Sequence, residues 1–151
     1  LFKIHLNGYM LFEMLDKNNI KYLVVHCSDT TDSENLKALD IHKMHLNFGW
    51  NGIGYHKIIC KNGDIEEGRP TYWIGAHVFE YNKMSLGVCL IGRNDFNEKQ
   101  LNSLFNQLKS WKETITKTQF VGHNESPNTK KTCPNLNVKN WWIKRQFKKK
   151  N

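Results

Sequence analysis

Two short apolar runs, YLVVHC at residues 22–27 and LGVCLI at residues 86–91, constrain this chain more than any other feature. The first is rich in β-branched and aromatic residues and reads as a buried strand; the second, ended by Gly92, reads the same way. Amphipathic stretches follow both. Glu34 to Asn47 brings Leu36, Leu39, Ile41, Met44 and Leu46 to helical spacing. Phe96 to Thr114 does so with Leu101, Leu104, Phe105, Leu108 and Trp111, behind Asn97 as a cap before Glu98. Strands alternating with helices imply an α/β fold, a single domain with a central sheet flanked by helices. Between Tyr55–Cys60 and Ile65–Gly68, the Asn62-Gly63 pair is a hairpin signal, so the sheet is expected to be mixed. The remaining expected elements are a short helix over residues 9–18, a strand at Gln119–Gly122 and a C-terminal helix at Val138–Phe147.

At 151 residues the chain suits one domain with a sizeable core. No apolar run approaches membrane-spanning length. The opening LFKIHLNGYMLFEMLDKN is broken by His5, Asn7, Glu13 and Asp16 and is no signal peptide as it stands, although Leu1 in place of Met leaves a removed leader open. Charge is distributed unevenly. Over residues 1–125, 14 basic and 14 acidic side chains cancel; residues 126–151 hold 8 basic side chains and no acidic one, which is the whole net charge of +8. A neutral body with a basic end argues against a nucleic-acid groove. It suits attraction to an anionic envelope, or simply a solvated tail. Of the four cysteines, Cys27, Cys60 and Cys89 sit in or beside apolar runs as small hydrophobes. Only Cys133 has a polar, lysine-rich context that favours a thiolate. A disulfide framework is not expected, and synthesis in a reducing cytoplasm is.

The densest chemistry lies in FVGHNESPNTKKTCP, residues 120–134, where a short strand ends in His123 and a polar loop leads to Lys131 and Cys133. His26, at the end of the first strand, completes a set of two imidazoles and one thiolate. Three protein ligands leave the fourth tetrahedral position of a zinc ion for water, the arrangement of catalytic sites. The spacing is not a general zinc signature, and a lone histidine at a strand end is more often structural.

Several motifs in order add to this: VVHCSDT, IHKMHLNFGWNGIGYHKII, KNGDIEEGRP, IGAH, NKMSLGVCLIG, and GHNE before KKTCP, together covering about Tyr22 to Trp142. In these the chain resembles the zinc N-acetylmuramoyl-L-alanine amidases that include the T-seven-type phage lysozyme and, more distantly, the peptidoglycan recognition proteins. The resemblance implies one amidase domain over 1–151, with 1–20 as an extension, 22–142 as the matching core and 143–151 as a basic tail. It implies one zinc ion held by His26, His123 and Cys133, with Tyr55 and Lys131 as catalytic groups and His77 lining the substrate cleft. The implied reaction is hydrolysis of the amide between the lactyl group of N-acetylmuramic acid and L-alanine of the stem peptide, by a monomeric phage or prophage endolysin. Peptidoglycan is the implied partner. RNA polymerase enters by family resemblance alone, and a non-catalytic peptidoglycan-binding protein is the alternative. The loop from His123 to Cys133 is slightly longer than in the phage enzyme, and Asn124 stands where that enzyme has a second histidine. His42, His45 and His56 are read as structural, and the tryptophans Trp50, Trp73, Trp141 and Trp142 as packing.

Overall fold

The computed structural model describes residues 12–126 and 129–150. Five strands among them, β1 (Tyr22–Cys27), β2 (Lys57–Ile59), β3 (Ile65–Glu67), β4 (Ser85–Leu90) and β5 (Gln119–Gly122), form one sheet in the order β3-β2-β4-β1-β5. All neighbours are parallel except the β2–β3 hairpin. Helices α1 (Ala38–Asn47), α2 (Glu98–Thr114) and α3 (Val138–Lys150) complete the domain.

The central strands β1 and β4 are buried along almost their whole length because both faces are covered. Leu23 and Val25 of β1, with Leu86, Val88 and Leu90 of β4, pack with Leu104, Leu108 and Trp111 of α2 and Val138 of α3. Trp142 fixes α3 in that layer: its ring lies 4.7 Å from Phe105 and 4.3 Å from Phe120. Arg145 closes the contact with an ion pair to Glu98 at 3.1 Å and a bond to Asn102. On the other face, Ala38 and Ile41 of α1 pack with Ile53, Ile58 and Ile91. Tyr22, Val24 and His26 alternate with the core-facing residues of β1 and point to this second side. There α1 leaves a cleft over the end of β1.

The sequence-based elements hold with informative exceptions. The helix expected over residues 9–18 is not formed where it is described, and residues 9–11 lie outside the described residues. Residues 12–16 run extended instead: Leu15 N–H donates to Tyr72 O, Ile74 N–H donates to Glu13 O, and Phe12 stacks on Trp73 at 4.5 Å. Only the turn Lys17–Asn19, capped by Asp16, is helical. So short a helix gains few hydrogen bonds for its nucleation, and pairing with a distant segment wins. The first helix begins at Ala38 rather than Glu34, since the Ala38 N–H is taken by Glu66 and the Lys37 N–H by Asp40. Asn97 caps α2 by accepting the Gln100 N–H, as expected. Helix α3 runs three residues beyond Phe147, so the basic end is helical.

Leu104 is fully buried between α2 and the sheet. Leu104→Ala is expected to lower unfolding free energy by about 3 kcal/mol, seen as a lower urea midpoint with an unchanged slope.

Candidate metal centre and cleft

The parallel register of β1 and β5 pairs Val25 with Gly122, so the next residues, His26 and His123, emerge side by side at the strand ends. Their Nδ1 atoms are 3.1 Å apart. Cys133 reaches the same point from the loop after β5. Asn124 N–H donates to Cys133 O at 2.9 Å, and Asn135, held at φ 56, donates its side-chain amide to Arg93 O at 2.8 Å. These bonds bring Cys133 Sγ to 3.5 Å from His123 Nδ1. All three donor atoms lie within 4.8 Å of one another. A tetrahedral zinc ion with ordinary Zn–N and Zn–S bonds needs donor–donor edges of about 3.3–3.6 Å. The donor set therefore fits zinc in kind, and its His26–His123 and His123–Cys133 edges, 3.1 and 3.5 Å, lie close to those lengths.

The far side of His26 is held by a chain of hydrogen bonds. Its Nε2 lies 2.8 Å from Nδ1 of His77, and Nε2 of His77 lies 3.4 Å from the Ser85 hydroxyl, which donates to Tyr81 O at 2.8 Å. Because the Ser85 proton goes to Tyr81, the hydroxyl oxygen accepts from His77 Nε2–H. Nδ1 of His77 then accepts from His26, and the His26 Nδ1 lone pair is left facing His123 and Cys133. His77 fits only because β4 carries glycine: a Cβ at Gly87 would lie 2.6 Å from its Nδ1.

Burial keeps these imidazoles neutral. His26, 1 % exposed, is lowered to about 4 by desolvation, and desolvation also puts His77 well below the usual histidine range. The Cys133 thiol is pulled down, first by its hydrogen bond with Cys27 and then by His123 and His26, while Cys27 is pushed up by the same bond. The pair thus favours a thiolate at Cys133 and a thiol at Cys27, the protonation state a metal ligand needs.

Tyr55 flanks the centre, its ring 5.0 Å from that of His26. Burial raises its phenol well above the ordinary value, so it stays a donor. Two histidines of α1 set its place: His42 Nδ1 accepts the Ile53 N–H and His45 Nδ1 the Gly54 N–H, each at 3.0 Å. His56 turns away from Tyr55, accepting the Gly87 N–H and donating to Trp73 O. His5 lies outside the described residues. A cavity of about 680 Å³ opens over the donors, bounded by Met44, Phe48 and Trp50 on one side and Val78 and Phe79 on the other. Lys131 is exposed at its rim. Its one lining carboxylate among the described residues, Asp29, is paired with Arg93 at 2.7 Å.

The structure thus brings His26, His123, Cys133, Tyr55 and Lys131 to one cleft, with His77 behind His26. Sequence reasoning passed over Cys27, Ser85 and Asn135. Cys27 is adjacent to His26 in an apolar run, which hid its contact with Cys133, and nothing local marks Ser85 or Asn135.

A family model described as N-acetylmuramoyl-L-alanine amidase matches residues 16–136. The chain belongs to the N-acetylmuramoyl-L-alanine amidase family. Similar to this amidase is the endolysin of Escherichia phage T7, 34 % identical over 133 residues that cover 83 % of this chain and 87 % of the relative. The endolysin of Klebsiella phage KP32 is 33 % identical with the same coverage. Among solved structures, the N-acetylmuramoyl-L-alanine amidase LysC from Clostridium intestinale URNW has a TM-score of 0.76 at 27 % identity, covering 93 % of each chain. Peptidoglycan recognition protein-LE in complex with tracheal cytotoxin has a TM-score of 0.71 at 26 % identity, covering 90 % of this chain and 84 % of that one.

Two outcomes follow from this geometry. His77→Leu is expected to weaken zinc binding about 10–100-fold, measured by competition with a chromogenic chelator. In the metal-free amidase, His26 and His56 are lowered to about 4 from 6.5, so the unfolded chain binds more protons between those values. Their contribution to stability is complete above pH 6.5 and falls as pH drops toward 4, by up to about 1.4 kcal/mol per pH unit for each histidine. Urea midpoints measured across that range without metal test this.

Proposed function

We propose that this amidase is a zinc-dependent endolysin that hydrolyses the amide between the lactyl group of N-acetylmuramic acid and L-alanine of the peptidoglycan stem peptide. The observation that carries the reading is the meeting of His26, His123 and Cys133 in the wall of a cleft that also holds Tyr55 and Lys131. The three donors would hold one zinc ion and leave a position open to water. Bound there, zinc activates water and polarises the carbonyl of an otherwise unreactive amide. One thiolate among the ligands leaves the centre with a formal charge of about +1, which preserves its Lewis acidity.

The protein groups do the rest. Lys131 sets an ammonium beside the oxygen on which negative charge develops, an interaction commonly worth about 3 kcal/mol in the transition state. Tyr55, kept protonated by burial, donates to that oxygen or orients the water. His77 fixes the tautomer and ring plane of His26 from behind and lies on the floor of the cleft. With Asp29 paired to Arg93, proton transfer to the leaving amine falls to Tyr55, Lys131 or the water itself rather than to a carboxylate. A cleft carrying ligands and catalytic groups together favours an enzyme over a binding protein.

The working unit is the core 22–142, with residues 1–20 as an extension. The basic residues from 143 onward continue helix α3 and attract the anionic envelope, the setting in which a cytoplasmically made endolysin meets its wall. No helix among the described residues is long and apolar enough to cross a membrane.

Purified chain is expected to carry one equivalent of zinc and to release stem peptides from purified peptidoglycan, read by mass spectrometry of the products. Chelation and Cys133→Ser each abolish release, whereas Lys131→Ala lowers kcat by about 100-fold with little change in KM. Full activity after complete zinc removal would refute the reading.

A further inference from the structure

Among the described residues, helix α3 has a face that the fold does not use. Its inner side, with Val138, Trp142 and Arg145, is taken up by α2 and β5. On the opposite side Ile143 and Phe147 are 50 % and 65 % exposed, four residues apart, and so form one apolar ridge along the helix. Lys139, Lys144 and Lys148 stand exposed around that ridge. Lys139 also lies 3.6 Å from Glu125, but Lys144 and Lys148 have no acidic neighbour in sequence, since residues 126–151 contain none.

We propose that this face of α3 docks on a lipid surface bearing anionic phosphate headgroups. Ile143 and Phe147 would sink into the boundary between headgroups and acyl chains, while the lysine stems lie along it and carry their ammonium groups to the phosphates. Two other partners fit the same residues less well. Nucleic acid would attract the lysines but would offer the apolar ridge nothing to bury in. The buried centre of a protein interface is depleted in lysine and enriched in arginine, and here the helix's arginine, Arg145, is turned inward to Glu98. The inference deepens the envelope attraction proposed above and rests on it for its setting. It uses no residue of the cleft.

The test is co-sedimentation of the full chain with vesicles of phosphatidylcholine alone and of equal parts phosphatidylcholine and phosphatidylglycerol. Binding is expected to the anionic vesicles only and to weaken as salt rises. The double variant Ile143→Ser, Phe147→Ser is expected to lower vesicle partitioning by about tenfold or more, with unchanged stem-peptide release from lipid-free peptidoglycan. Lys144→Gln with Lys148→Gln is expected to remove the preference for anionic over neutral vesicles. Equal binding to both vesicle types, full binding by the Ile143/Phe147 variant, or tighter binding to duplex DNA than to anionic vesicles would each overturn the proposal. Because the vesicles contain no peptidoglycan and need no metal, failure of the amidase reading would leave this result standing, and the reverse holds equally.

Discussion

The parallel pairing of β1 with β5 is the constraint on which the rest of this structure depends. A sheet fixes its register residue by residue, and a slip of one would turn His26 from the cleft into the core. With Val25 opposite Gly122, β5 ends there while β1 runs on to Cys27, and the next residues of the two segments, His26 and His123, become neighbours. Each strand is short, so its position is secured from elsewhere: β1 is clasped by β4 along all six residues, and β5 is pressed into place by Trp142 of α3. The geometry of the centre is therefore a property of the whole sheet and of the layer behind it.

Support for the centre continues outward through groups that carry no reactivity themselves. Behind His26 stand His77, Ser85 and the Tyr81 carbonyl, and behind Tyr55 stand two histidines of α1 that accept consecutive backbone N–H groups. Four of these histidines work through a neutral ring with one nitrogen accepting, which is why burial rather than charge defines them. The apolar packing around the cleft is thus part of its chemistry: it keeps the rings neutral, and their hydrogen-bond partners set which nitrogen carries the proton.

Most of this was legible in the sequence at two levels. The strands YLVVHC and QFVG and the cap at Asn97 followed from composition and spacing, because buried strands and capped helices are local statements. The grouping of His26, His123 and Cys133 followed from the order of motifs, since no local rule connects residues so far apart. What the sequence did not disclose is of one kind. The segment around Met14 takes its conformation from Trp73, Ser85 matters through His77, and Asn135 through Arg93. Each depends on a distant partner whose position only the folded chain defines.

The separation of the donors has a consequence for how such a protein comes into being. His26 and His123 meet across 97 residues, and Cys133 follows ten residues later. On the proposed reading, a nascent chain that has not yet reached Cys133 would lack one of the three zinc ligands, and one that has reached it would still lack the site until β5 has inserted beside β1. Hydrolysis that needs donors from both strand ends would therefore stay silent until Cys133 is made and β5 has paired with β1, so no shorter stretch of this chain would act on the wall.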